Sequence, residues 1–205
     1  MIDDLTGINI VYALITIVIS LSIHEAMHAY AAHALGDTTA KDMGRLSLNP
    51  LKHIDPLTTV ALPIITLILF KFPILAARPV PFNPNRVKYE EFGGAIVAAA
   101  GPLSNLVLAV IGALLMHVAT NVAFFNFLTI FITLNVGIFI FNSIPIPPLD
   151  GSRVLYAFAP EPLQEFMQQI EPYGLFIVFA LVLTGVLTSV LLRLDYDILR
   201  LLPLP

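Results

Sequence analysis

His24, Glu25 and His28 stand in the stretch SIHEAMHAYA, residues 22–31. On a helix, two histidines four apart project from one face about one turn apart. Their imidazoles can then hold one metal ion together, with Glu25 beside it to take a proton from an attacking water. This HExxH pattern is the arrangement of zinc hydrolases, although five letters alone match by chance in soluble sequences. The setting makes it informative. LTGINIVYALITIVISLSI, between Asp4 and His24, holds no charged side chain, and ionisable groups on a membrane helix are costly and by default functional. The structural alternative is a pair of interfacial histidines and a snorkelling glutamate at a helix end. His33, five beyond His28, lies about 140° round the helix and is expected to face elsewhere.

A catalytic zinc usually takes three protein ligands and keeps one position open, so the third must come from another segment. Asp3 and Asp4 are a whole span away. Asp150, in FNSIPIPPLDG, is the sole carboxylate between Glu91 and Glu161. Pro145, Pro147 and Pro148 prevent a regular helix before it, and irregular backbone at membrane depth is tolerated only inside protein or around a cavity. Asp150 is therefore expected to turn inward as the third ligand. The alternative is an ordinary loop aspartate in a Pro-Gly turn.

Composition says what must position these groups. The chain has 205 residues, 58% hydrophobic and 12% charged, about half the charge of a soluble domain at roughly 25%. Phe92 to Leu149 carries no Lys, Arg, Asp or Glu, and neither does Pro172 to Leu192. As a single helix the first of these runs would be about 87 Å long, against a hydrocarbon core of about 30 Å, so it must cross twice. The chain reads as an all-α polytopic membrane protein. No Lys or Arg precedes the first apolar segment and no small-residue cleavage pattern follows it, so it is expected to remain as a span. There is no cysteine, so no disulfide forms. The net charge of -4 implies no partner, and no basic patch interleaved with aromatics suggests nucleic acid.

The pattern predicts a first helix over about 7–34, closing at Gly36, then a polar loop over 36–56. Residues 57–77 are apolar but interrupted by Pro63, Lys71 and Pro73. A short extended segment over 78–85 follows, its prolines 79, 81 and 84 excluding helix. Further spans are predicted over about 93–119, 124–143 and 173–192, with a short polar helix near 151–170. No internal repeat is visible, and 1–205 is read as one membrane-embedded domain whose core is 20–155, with 172–205 an added C-terminal helix and tail.

HExxH on one transmembrane helix, GPLSN opening the next and NSIPIPPLDG ending another resemble the site-2 protease family of intramembrane zinc metalloproteases. The chain is similar to its compact prokaryotic members, which lack an inserted PDZ-like or CBS-like domain. The resemblance covers roughly residues 20–155, and three motifs in this order are highly specific. It implies one zinc ion held by His24, His28 and Asp150, Glu25 as general base, and membrane-protein substrates cut in or near a transmembrane segment. PPLDG departs from the NPDG-like form of some relatives, but Asp150 and Gly151 are kept.

Other polar residues carry lesser expectations. Asn105 and Asn142 lie near the same end of their helices, where an amide can bond a substrate carbonyl or its developing oxyanion; the alternative is helix–helix adhesion. Pro79, Val80 and Pro81 lie in a segment that could pair with an extended substrate as an edge strand, or simply be a stiff connector. His53 and Asp55 read equally as a cap or a second polar cluster. Gly93, Gly94, Ala98 to Ala100 and Gly101 read as a small-residue packing face.

Two rivals stay open at this level. A CaaX-processing protease would need a glutamate as third ligand, and no other glutamate lies in a predicted span. A zinc transporter would need ligands along a path through the bilayer, where only His117 and a few asparagines occur.

If 57–77 crossed the membrane, HEAMH and LDG would fall near opposite faces. A re-entrant hairpin at 57–77 brings HEAMH, GPLSN and LDG to one depth. Lys41, Arg45, Lys52, Lys71, Arg78, Arg86, Lys88 and Arg153 then share that side, against Arg193 and Arg200. The positive-inside rule makes it the cytoplasmic face of the cell membrane, with the N-terminus outside. Cysteines placed at Thr38, Asn85 and Ser152 should accordingly all be labelled by an impermeant reagent from the cytoplasmic side, and one at Leu204 only from outside. Opposite accessibility at 38 and 85 would sink the hairpin.

Overall fold

The computed structural model describes residues 7–53, 81–83 and 86–205. The predicted hairpin at 57–77, together with Pro79, Val80 and Asp55, lies outside them. Three long helices form the body: α1 (Gly7–Ala34), α2 (Glu90–Met116) and α3 (Val122–Ser143). After them come α4 (Asp150–Phe158), α5 (Glu161–Ile170), α6 (Gly174–Leu183) and α7 (Val186–Leu201). Among the described residues there is no strand. Of the segment expected to be extended, residues 81–83 are irregular chain, tied down by Phe82, which packs against Ala32, Val87 and Val97.

The packing is inverted relative to a soluble protein. On α1 the buried side chains are Thr16, Ser20, Ser22, His24, Glu25, Ala26, Ala29 and Ala32, while Ile8, Val11, Leu14, Ile15 and Val18 are exposed. α2 likewise buries Gly101, Asn105, Ala109 and Ala113 and exposes Val107, Ile111 and Leu114. Water would penalise such a surface, whereas a bilayer rewards it and leaves the polar groups to find partners inside. α1, α2, α3 and the continuous run Glu161–Leu183 are long and apolar enough to cross a membrane. The protein is a multi-pass membrane protein.

Local chemistry sets the helix ends. α2 starts three residues before its predicted start, with Glu90 and Glu91 in its first turn, where carboxylates complement the helix dipole. α3 starts two residues early because Asn121 caps it, its Oδ1 accepting from the N–H groups of Ala123 and Phe124. GPLSN does not open a helix: residues 101–105 sit mid-way along α2, with Pro102 inside it. The single polar helix expected near 151–170 is two helices, divided at Pro160, which cannot continue α4.

The single span expected over 173–192 is also broken. Gly185 adopts φ +75, the left-handed conformation glycine takes after a helix end, and its N–H bonds back to Val182 O. α7 then runs along α3, where Leu191, Ile198, Leu199 and Leu202 pack on Ala109, Ala113, Met116, Leu128, Ile132, Val136 and Ile140. Its far end reaches the α2–α3 turn, where His117 Nε2 lies 2.9 Å from Pro203 O.

The end of α1 is fastened to the start of α2. Lys88 N–H donates to Leu35 O at 2.9 Å. Asp37, fully buried, accepts from Thr39 N–H (3.0 Å), Thr39 Oγ1–H (2.5 Å) and Asn83 N–H (2.6 Å). Burial by itself would raise the Asp37 pKa, but these donors and the charge of Arg86 hold it below 3.8. A carboxyl whose pKa is depressed on folding stabilises above its unfolded value, and loses that contribution as pH falls through the folded one. Asp37→Asn should therefore lower the unfolding temperature in detergent by about 3–8 °C at neutral pH, with the difference vanishing under acid conditions below pH 3.8. Equal unfolding temperatures at neutral pH would refute the role given to this clasp.

Candidate metal centre

Alanine and glycine bring the helices close enough to build the site. Ala26, Ala29 and Ala32 on α1 are fully buried, and Gly101 of α2 lies directly against the two histidines. A Cβ at 101 would be 2.7 Å from His24 Nε2 and closer still to His28 Nε2. Glycine here gives room for imidazole, rather than only a smooth face for helix packing.

His24, Glu25 and His28 share the inner part of α1, His24 and Glu25 being buried. His24 Nε2 and His28 Nε2 are 3.0 Å apart. Asp150 Oδ2 lies 3.1 Å from His24 Nε2 and 3.4 Å from His28 Nε2. Among the described residues, these three side chains form the one group of His, Asp and Glu able to hold a metal ion. His33 is not part of it.

The outer nitrogens show where the protons are. His28 Nδ1 is 2.7 Å from Val97 O. A backbone carbonyl only accepts, so Nδ1 carries the hydrogen, and in the neutral ring Nε2 is left with the lone pair. His24 Nδ1 is 2.7 Å from Asn105 Oδ1, and the same reasoning leaves its Nε2 unprotonated. With both rings neutral, two lone pairs and a carboxylate oxygen converge with no hydrogen among them, an arrangement that repels itself unless a cation sits between. The three edges of 3.0, 3.1 and 3.4 Å are close to the roughly 3.3 Å edge of a tetrahedron with ligands about 2.0 Å from its centre. The donor set fits zinc.

Asp150 reaches the site because the chain turns sharply after α3. Ile146 N–H and Leu149 N–H bond back to Ile144 O and Ile146 O, and Asp150 opens α4. Gly151 makes that turn possible: a Cβ there would overlap the carbonyls of Ser143 and Ile144.

The remaining candidates separate. Asn105 is fully buried, and its Nδ2 donates to Asn135 Oδ1 at 3.0 Å and lies 3.4 Å from Ser20 O. Its amide therefore stands behind His24, on the side away from Asp150. Asn142 is half-buried, and its Nδ2 donates to Ile138 O of its own helix at 3.0 Å. Pro81 is half-buried in irregular chain. His53 Nε2 lies 2.7 Å from Ser47 O, consistent with a structural tie. Three contributors escape a reading of sequence: Gly101, Val97 through its carbonyl, and Asn135. Asn135 is one of three asparagines in α3, with Asn126 and Asn142, so residue type alone does not single it out.

Comparison with known proteins adds the family. Residues 114–185 match peptidase family M50. The protein named "Putative zinc metalloprotease YwhC" of Bacillus subtilis (strain 168) is 41% identical over 191 residues, covering 88% of this chain and 84% of the relative. The chain belongs to peptidase family M50. This is the site-2 protease family, and membership makes the protein a metalloprotease. "Putative zinc metalloprotease Rip2" of Mycolicibacterium smegmatis is 30% identical over 185 residues, covering 86% of this chain and 68% of the relative. No solved structure matches.

Gly101→Ala tests the M50 site where the fit is tightest. The added methyl must displace His28 or His24, so bound zinc per purified protein should fall at least about tenfold while membrane accumulation persists. Full zinc content would show that the histidines have more room than these contacts allow.

Proposed function

We propose that this protein is a zinc-dependent intramembrane endopeptidase. It holds one zinc ion through His24 Nε2, His28 Nε2 and Asp150, and it cuts membrane proteins in or beside a transmembrane segment. The observation that carries this reading is the convergence of two imidazole nitrogens and a carboxylate oxygen within an apolar helix bundle. Both relatives bear the name of a zinc metalloprotease. A bound zinc ion supplies Lewis acidity and lowers the pKa of a water molecule to about 7.

The chain supplies the rest. Glu25, one residue from His24 and buried on α1, takes the proton of the attacking water and returns it to the departing amine. Asn105 and Val97 O hold the two imidazoles in orientation. Since His24 and Glu25 lie on a membrane helix, the scissile peptide must come to them at bilayer depth, extended enough to expose its carbonyl. Asn142, Pro79, Val80 and Pro81 are the candidates for receiving it. The excess of Lys and Arg near the end of α1 and the start of α2 supports placing the site toward the cytoplasmic face of the cell membrane.

Two variants test the assignment together. Glu25→Gln should keep its zinc yet cleave a single-span substrate at least about 100-fold more slowly, because the amide keeps the shape but accepts no proton. Asp150→Ala should lose zinc as His24→Ala does. Normal cleavage by Glu25→Gln would remove the general-base role, and full zinc retention by Asp150→Ala would remove the third ligand.

A further inference from the structure

Behind the histidines lies a chain of amides that the metal site does not itself explain. Asn135, fully buried on α3, donates from Nδ2 to Phe131 O at 2.8 Å and accepts at Oδ1 from Asn105 Nδ2 at 3.0 Å. Asn105 in turn accepts at Oδ1 from His24 Nδ1–H at 2.7 Å. We propose that Asn135 is a positioning residue whose amide, oriented by the Phe131 carbonyl, sets the tautomer of His24 through Asn105. The inference rests on the metal-site reading above.

The direction of the relay follows from chemistry. A backbone carbonyl cannot donate, so Phe131 O requires the NH₂ of Asn135 and turns Oδ1 toward Asn105. Oδ1 then requires the NH₂ of Asn105, which Ser20 O also favours at 3.4 Å. What faces His24 is therefore an amide oxygen, so Nδ1 must bring the hydrogen and Nε2 is left open toward Asp150. Reversing both amides would set two amide oxygens against two carbonyl oxygens in a buried bundle where no water relieves the repulsion. Without Asn135, only the 3.4 Å contact to Ser20 O resists that reversal. A His24 with its proton on Nε2 presents no lone pair toward Asp150 and must shift that proton before Nε2 can bind metal. Val97 O fixes His28 independently, so the dependence on Asn135 is confined to one of the two imidazoles.

The experiment reads the tautomer without metal. Protein labelled with ¹⁵N in its histidine rings is examined by NMR in metal-free form at mildly alkaline pH, with His24→Gln assigning the His24 signals. In the parent protein both rings should be Nδ1–H. In Asn135→Leu, His24 should become a mixture or invert while His28 is unchanged, and zinc affinity should fall about 10–100-fold. Asn135→Ala replaces the leucine variant if that one does not accumulate. An unchanged His24 spectrum would overturn the proposal, and so would equal changes at His24 and His28, which would make Asn135 a packing residue. Parent protein that shows the expected tautomers but binds no zinc would instead refute the metal-site reading.

Discussion

The protons on His24 Nδ1 and His28 Nδ1 are the constraint on which the site depends. Each is held by an acceptor facing away from the centre, Asn105 Oδ1 in one case and Val97 O in the other, both at 2.7 Å. A free imidazole exchanges its tautomers readily, and either nitrogen then presents the lone pair. Here the bundle has made the choice in advance, and two Nε2 atoms are pressed to 3.0 Å beside a carboxylate. Helix spacing brought the histidines to one face, but the acceptors on α2 turn both Nε2 atoms toward Asp150.

Those acceptors impose demands on the rest of the fold. α2 must approach α1 closely enough for a carbonyl and an amide to reach the rings. Hence the glycine at 101, the fully buried alanines 26, 29 and 32, and the polar face Thr16–Ser20–His24–His28 recurring every fourth residue of α1. Close backbone approach through small residues is how helices associate in lipid, where burying leucine gains nothing over leaving it in the bilayer. The large aliphatics accordingly face outward. Asp150 comes from a third element, and its delivery needs a turn so tight that residue 151 can carry no side chain.

What could be read from the sequence is what is local or chemically rare. His24, Glu25 and His28 are three letters on one helix, so spacing alone predicts their shared face, and Asp150 stands out in a long stretch without another carboxylate. The first span, over 7–34, is legible because no proline or glycine breaks the helix between Ile8 and Leu35. Partnerships across helices were less legible. Asn135 looks like any polar residue in a span until α2 is placed beside it, and Gly101 looks like packing until an imidazole stands where its Cβ would be. The break at Gly185 is hidden for a different reason: hydropathy runs through it unbroken, whereas the backbone turns there because glycine takes φ +75 without strain.

The kind of groups behind the imidazoles also answers to the bilayer. Histidine ligands in water-soluble metal sites often lean on a carboxylate, which raises ligand basicity. Such a group here would add a charge in a low-dielectric bundle, at a cost of several kcal/mol unless it were paired. A carbonyl and a carboxamide accept the same hydrogen bond with no charge to bury. On the proposed assignment the count then closes: two neutral imidazoles, two carboxylates at Asp150 and Glu25, and a divalent cation leave no net charge among the groups at the centre. Proton transfer to Glu25 moves that balance by only one charge and over a short distance. The asparagines that look incidental in the sequence therefore let a charged reaction centre stand in a membrane without a buried counter-ion network of its own.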